Sequence, residues 1–167
     1  EPRSAILVLS GSSGRVEADR ARLLAQHGAL ALALQWFGGE GQPPGICEIA
    51  LEVFLPQLDL LHNAHPHLAV LGTSKGAEAA LLLAARDARI AVTVALSPTS
   101  VVWANVGAGS DGSDHPYRSS WTWHDTPLDF VPSDPAPTPD VSAPPAYPTR
   151  HDQPPPTAPT RVRPARA

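Results

Sequence analysis

A serine between two glycines is the residue of this chain best suited to chemistry. Residues 72–76 read Gly-Thr-Ser-Lys-Gly, follow an apolar run at 68–71 and precede a run rich in alanine and leucine. A strand, a tight turn and a helix in this order form a nucleophile elbow, which lifts the serine hydroxyl clear of the sheet. Gly72 and Gly76 fit the turn because its flanking positions must be small. The pattern predicts that Ser74 is a catalytic nucleophile; the alternative is a glycine-flanked turn with an idle serine.

A serine nucleophile needs an oxyanion hole, and two places in the sequence are suited to form one. In an elbow, one donor is the backbone N–H of the residue after the nucleophile, here Lys75. The second is expected from the loop after the first strand, where Ser12 and Ser13 lie between two glycines. The same loop is compatible with a phosphate-binding or dinucleotide-binding turn. However, the Gly-x-Gly-x-x-Gly spacing and the acidic residue of a dinucleotide site are missing from the sequence.

The general base is the missing part of this prediction. In a sheet of this kind the acid and the histidine follow the serine, each after a later strand. Three histidines follow Ser74, none of them after a predicted strand: His115, His124 and His151. Three more precede the elbow in a predicted polar loop: His62, His65 and His67. Because no carboxylate partners this earlier group, we expect it to be solvated, and we expect neither a metal site nor a cofactor.

Composition narrows the class of protein. The 167 residues carry a net charge of −4 and 43% apolar residues, which predicts one globular domain and makes nucleic acid an unexpected partner. A single cysteine excludes an internal disulfide and a cysteine-based zinc site, and Cys47 is expected on a buried helix face. No apolar run approaches the roughly 20 residues of a membrane span. The first residues show neither an initiator methionine nor a signal peptide, so we expect a processed start and a reducing, cytoplasmic setting.

Apolar periodicity predicts an α/β fold with a doubly wound parallel sheet. The predicted strands are residues 5–9, 29–34, 68–71 and 90–96, the first three of them buried. The predicted helices are residues 16–27, 47–63 and 75–86, and Pro56 is expected to kink the second or to start it afresh. Gly28 is the expected stop of the first helix. The expected spatial order of the strands is second, first, third, fourth, with Ser74 at the carboxyl end of the third.

The last part of the chain differs from the rest in composition. Of the 20 prolines, 13 lie from Pro127 onward, among Ala, Thr, Arg and Asp. A segment of this kind buries too little apolar surface to offset the entropy of ordering it. The predicted organisation is therefore a domain at residues 1–133 and a disordered tail at residues 134–167.

The elbow also carries a resemblance to a known family. Residues 72–78, Gly-Thr-Ser-Lys-Gly-Ala-Glu, resemble the Gly-x-Ser-Lys-Gly-x-Glu elbow in the C-terminal domain shared by acyl-CoA thioesterases and bile acid-CoA:amino acid N-acyltransferases. Segments 9–14, 20–28, 101–107 and 119–123 agree, and the resemblance covers roughly residues 5–135. It implies an α/β-hydrolase fold of the dienelactone-hydrolase type and an acyl-CoA substrate. It also implies that Ser74 attacks the thioester and that the resulting acyl-enzyme passes its acyl group to water or to an amine.

The sequence departs from this family after Tyr147. The strand–loop units that bring the family's acid and histidine are not recognisable there, so a shifted reading frame or a truncated gene is expected. Two alternatives to the thioesterase interpretation stay open: a catalytically inactive fragment or binding remnant of the fold, and a simple serine carboxylesterase or dienelactone-type hydrolase. The acyl chain, the acceptor and the oligomeric state are not specified by the sequence.

Overall fold

A computed structural model describes residues 2–132 of the protein, which form two β-sheets with helices between their strands. The central sheet contains β1 (Ser4–Leu9), β2 (Ala29–Leu34), β4 (Leu68–Thr73) and β5 (Ile90–Leu96), and the smaller sheet contains β3 (Ile49–Ala50), β6 (Trp121–Trp123) and β7 (Thr126–Pro127). The central strands lie in the order β2-β1-β4-β5, and every neighbouring pair is parallel. The predicted α/β class and strand order are confirmed. The predicted tail at residues 134–167 lies outside the described residues, and the domain boundary beside it stays a prediction.

Three α-helices connect the parallel strands: α1 (Ala18–Gln26), α2 (Leu55–Ala64) and α3 (Lys75–Ala84). Right-handed connections in this strand order place α1 on one face of the sheet and both other helices on the opposite face. The main core lies on the second face, where Leu7 and Val70 of the sheet pack in one cluster with Leu58 of α2 and Leu83 of α3. Helix α1 contributes no buried residue and ends, as predicted, before Gly28, which takes a φ of +87°.

The predicted helix over residues 47–63 is wrong in its first half. Ile49–Ala50 is instead strand β3, Leu51–Phe54 is a 3₁₀ helix, and α2 begins only at Leu55. Pro56 occupies the first turn of α2, where its missing N–H costs no intrahelical hydrogen bond, so the helix starts afresh there. Cys47 is consequently not on a helix face but half-buried in the segment before β3. Partial burial, with the carboxylate of Glu48 nearby, raises the pKa of its thiol.

The second predicted strand has the right bounds but the wrong burial. Strand β2 lies at the edge of the sheet, and none of its residues is fully buried, with Leu30 37% exposed. Strand β2 alternates Ala and Leu, a composition typical of a buried strand, but it has a neighbouring strand on one side only. The prediction failed because burial depends on position in the sheet and not on the strand's own residues.

The smaller sheet was not predicted. Its central strand β6 pairs with β3 in parallel and with β7 in antiparallel. Trp121 of β6 is fully buried, with its ring centroid 5.2 Å from that of Trp36 and 6.3 Å from that of Phe54. This aromatic cluster anchors residues 119–123 beside the first turns of α3. Within residues 2–132, none of the helices combines the length and the apolar character needed to cross a membrane.

Candidate active site

Ser74 lies in the turn between β4 and α3 and has a strained backbone. Its φ is 52° and its ψ is −118°, a region that residues other than glycine rarely adopt. The turn is held by the Ser74 N–H, which donates to the Leu96 carbonyl oxygen at 2.9 Å, and by the Ser74 carbonyl, which accepts from Ala77 N–H at 2.9 Å. The residue itself is exposed. Strand, strained serine and helix therefore have the local form of the predicted elbow.

Both flanking glycines are required by backbone contacts. A Cβ atom at Gly72 would overlap the carbonyl group of Gly76 and lie 2.6 Å from the Ala77 nitrogen. A Cβ atom at Gly76 would overlap the Ser10 carbonyl oxygen and lie 2.7 Å from that of Leu9. Because the obstacles are backbone atoms, no side chain can turn aside to relieve these contacts. The spacing of the motif thus reflects how closely β1, β4 and α3 approach at the elbow.

The loop after β1 lies against the serine. A Cβ atom at Gly11 would stand 3.1 Å from the Ser74 Cβ and 3.7 Å from its hydroxyl oxygen. Ser12 and Ser13 follow directly and are exposed, and the Ser13 hydroxyl accepts a weak 3.4 Å hydrogen bond from the Arg15 N–H. The loop that the sequence predicts to supply the second oxyanion-hole donor therefore lies next to Ser74. The donor role of Ser12 and Ser13 stays a prediction.

Lys75 presents different atoms to the site and to the core. Its N–H is the first of α3, in the turn where a helix leaves its N–H groups without intrahelical acceptors. Its side chain is only 9% exposed, and its ammonium group lies 3.1 Å from Glu78 Oε1 and 2.8 Å from the Ser120 hydroxyl. Burial lowers the pKa of Lys75, and the Glu78 carboxylate opposes that shift. The ammonium group is thus committed to the protein interior, which leaves the backbone N–H as the group available at the elbow.

A guanidinium group that sequence reasoning missed also contacts the elbow. Arg20 of α1 donates from Nη1 to the Thr73 hydroxyl oxygen at 2.6 Å, and Thr73 immediately precedes Ser74. Glu17 lies 3.8 Å from the Arg20 Nε atom, and the side chain of Arg20 is about one-third exposed. The contact ties α1 to the end of β4 across 53 residues of sequence. This contact depends on how α1 lies beside β4 in the folded protein, which the sequence pattern does not show.

The histidines of the described residues lie elsewhere. His115 contacts Asp111 at 2.9 Å in an exposed loop, and His124 contacts Glu52 at 3.4 Å on the surface. Three others precede the amino ends of strands, at the edge of the sheet opposite Ser74: His27, His65 and His67. His62 lies in the last turn of α2 and not in a loop. Within residues 2–132 no imidazole hydrogen-bonds Ser74, and His151 is outside that range.

Two further features bear on what the site binds. Over the described part of the chain, no group of three or more His, Cys, Asp or Glu side chains is arranged to hold a metal ion.

An apolar cavity of about 240 Å³ lies between β2 and α2, lined by Leu30, Ala31, Leu32, Leu60, Leu61 and Ala64. Its lining comes from the middle of β2 and the second half of α2, whereas Ser74 follows the carboxyl end of β4, two strands away from β2 in the sheet. The cavity is therefore not the place where an acyl group would meet Ser74.

Comparison with known proteins supports the resemblance seen at the elbow. Acyl-coenzyme A thioesterase 6 of Mus musculus is 38% identical over 84 residues, which are 48% of this chain and 20% of that protein. Acyl-coenzyme A amino acid N-acyltransferase 2 of Mus musculus is 35% identical over 105 residues, 60% of this chain and 25% of that protein. The human thioesterase 6 is 35% identical over 100 residues, covering 58% and 24% respectively. No family model matches the chain.

These relatives confirm the suspected family resemblance over the matched part of the chain. They include both a thioesterase and an amino acid acyltransferase, the two activities that the elbow motif implied. The chain spans a fifth to a quarter of the length of the curated relatives it matches.

Proposed function

We propose that this chain carries the nucleophile-bearing part of a serine-dependent acyl-CoA thioesterase or acyl-CoA:amino acid N-acyltransferase. The observation that supports this most directly is the backbone of Ser74, held at a φ of 52° between two glycines that have no room for a methyl group. A turn that strained persists only where the surrounding structure enforces it, and such positions cluster at functional sites. The names of the relatives supply the proposed substrate class, an acyl-CoA.

The proposed reaction has two steps. The Ser74 hydroxyl oxygen attacks the thioester carbonyl carbon while its proton passes to a base, and the carbon–sulfur bond breaks to release the CoA thiol once its sulfur takes up a proton. Water or an amine then attacks the acyl ester on Ser74, which yields a carboxylic acid or an amide and regenerates the serine. In both steps the negative charge on the carbonyl oxygen would be stabilised by the Lys75 N–H and by an N–H of the Ser12–Ser13 loop.

The base and its orienting acid must come from outside residues 2–132 in this proposal, because no imidazole of the described residues hydrogen-bonds Ser74. The same observation favours the second candidate, a binding remnant that keeps the elbow without the chemistry. The reducing, cytoplasmic setting stays a prediction.

We expect that the 167-residue chain alone releases CoA from acyl-CoA at a rate close to background, and that added imidazole restores Ser74-dependent release. Loss of the base or the nucleophile of a serine triad costs on the order of a millionfold in subtilisin. Free imidazole can reach an exposed serine and accept its proton. The measurement is CoA release from acyl-CoAs of several chain lengths at rising imidazole concentrations.

Ser74→Ala is the control, because it corrects for cleavage of the thioester by imidazole itself. Equal imidazole dependence in both proteins would reject the proposed chemistry and favour the binding remnant. Robust Ser74-dependent release without imidazole would instead show that a histidine of this chain serves as base, and His124 would be replaced first.

A further inference from the structure

The carboxylate of Glu78 is the meeting point of four donors from separate parts of the chain. Glu78 lies in α3 and is only 3% exposed. Oε1 accepts from the Trp121 indole N–H at 2.7 Å and, weakly, from the Trp103 N–H at 3.4 Å. Oε2 lies 3.0 Å from the Thr99 hydroxyl, which shares its one proton between Oε2 and the Val101 carbonyl oxygen at 2.8 Å. The Lys75 ammonium group donates to both oxygens, at 3.1 and 3.2 Å. One side chain thus joins α3, the segment 99–104 and strand β6.

A second link runs through the partner of this ion pair. Lys75 Nζ also donates to the Ser120 hydroxyl at 2.8 Å, and that hydroxyl donates in turn to the Ala104 carbonyl oxygen at 2.8 Å. Ser120 is fully buried and Ala104 nearly so. The two halves of the ion pair therefore bind the same two segments, 99–104 and 119–123, by different routes.

These contacts begin one residue away from the strained serine. Lys75 follows Ser74 directly, and the Glu78 N–H donates to the Ser74 carbonyl at 3.1 Å. Segment 99–104 continues from β5, whose last residue, Leu96, accepts the Ser74 N–H. The elbow is thus bound on one side by the end of β5 and on the other by the first turn of α3. The Glu78 carboxylate connects those two supports.

Stability alone does not account for such a group. A buried ion pair loses its hydration, and apolar residues of similar size often stabilise a fold as well or better. What the pair provides is a single permitted arrangement, because each oxygen and each ammonium proton must keep its partner. A strained backbone benefits from this, since it persists only where its surroundings over-determine it.

We propose that Glu78 is the positioning residue of the elbow: by fastening the first turn of α3 to segments 99–104 and 119–123, it fixes the backbone of Ser74 and Lys75. The reactivity part of this inference rests on the proposed function, whereas the conformational part does not. Glu78 does not contact the reacting atoms in this account and acts through the backbone of the two residues that do.

The test replaces the carboxylate with an amide of the same shape. In Glu78→Gln, we expect the ¹H–¹⁵N amide resonances of Ser74 and Lys75 and the indole resonance of Trp121 to move. We also expect imidazole-supported labelling of Ser74 by a fluorophosphonate to slow by on the order of 10- to 100-fold, the scale of loss for a nucleophile misplaced by about 1 Å.

Asp87→Asn is the matched control. Asp87 is also a largely buried carboxylate in an ion pair, at 2.7 Å from Arg89, but it precedes β5 at the opposite end of the sheet. Asp87→Asn should leave the amide resonances of Ser74 and Lys75 unshifted and change the rate of Ser74 labelling by less than about twofold. If Glu78→Gln does not fold, Thr99→Val removes one donor without changing shape and should move the same amides less.

The outcomes separate this inference from the proposed function. Unshifted Ser74 and Lys75 amides in Glu78→Gln, or in Thr99→Val where that variant replaces it, would overturn the positioning role, whether or not labelling occurs. Shifted amides in a protein whose wild type is never labelled at Ser74 would uphold the positioning role and reject the proposed nucleophile. Shifted amides with undiminished labelling would reject the link between Glu78 and reactivity.

Discussion

Gly72→Ala should destroy the native fold of this protein. The added Cβ atom would overlap the carbonyl group of Gly76 and press on the nitrogen of Ala77, both backbone atoms of the elbow. Relief requires β4 and α3 to separate, which breaks the packing of the central sheet against its helix. We expect a loss of more than about 4 kcal/mol in the free energy of unfolding, a large part of the 5–15 kcal/mol typical of a domain. Urea titration followed by circular dichroism measures it.

Gly112→Ala is the control for this substitution. Gly112 has a φ of +80°, yet a Cβ atom there would meet nothing within 4 Å. Its replacement therefore reports the cost of the left-handed conformation alone, about 1–2 kcal/mol. A Gly72→Ala protein that unfolds no more easily than Gly112→Ala would show that the elbow is not packed as described.

Lys75→Met should have the second largest effect. The substitution removes the ammonium group and leaves the Glu78 carboxylate buried without its ionic partner. Breaking a buried pair in this way costs about 3–5 kcal/mol, because the remaining charge is not compensated. Removing both charges in Lys75→Met with Glu78→Gln should recover much of that loss. Chemical unfolding of the two single variants and the double variant gives the coupling energy directly.

An exposed pair with the same spacing provides the comparison. Arg22 and Asp19 lie three residues apart on α1, 2.6 Å from each other, with side chains 71% and 99% exposed. Because water screens such a pair, Arg22→Met should change stability by no more than about 1 kcal/mol. Equal effects at Lys75 and Arg22 would mean that the Lys75–Glu78 pair is not buried in solution.

The central sheet was predictable because its signals are local. Residues 29–34 and 90–96 were predicted as strands with the bounds that the structure has, and the strand order followed from alternating strands and helices. The smaller sheet was not predictable in the same way. Strand β3 has two residues and pairs with β6, about seventy residues later, so no periodicity marks either partner. Tertiary contacts there overrode the helical pattern that residues 47–54 show by themselves.

The candidate site was likewise predictable only where its signals are local. The elbow could be found from its spacing, since Gly72, Ser74 and Gly76 are constrained by neighbours close in sequence or in the adjoining strand. The contacts of Glu78 and of Arg20 could not, because they depend on where residues 99–121 and α1 lie in the folded chain. The motif contains Lys75 and Glu78 but does not show that their side chains are buried. Their burial is a property of the segments that cover them.

Mapping the site of fluorophosphonate modification tests most directly the claim that Ser74 is a nucleophile. The 167-residue chain is treated with the probe in the presence of imidazole, digested, and sequenced by mass spectrometry, with Ser74→Ala treated in parallel. We predict a phosphonate adduct on Ser74 in the wild type and none anywhere in Ser74→Ala. The exposed hydroxyls of Ser12 and Ser13 serve as internal references. An adduct on either of them in preference to Ser74, or labelling that Ser74→Ala does not abolish, would contradict the account.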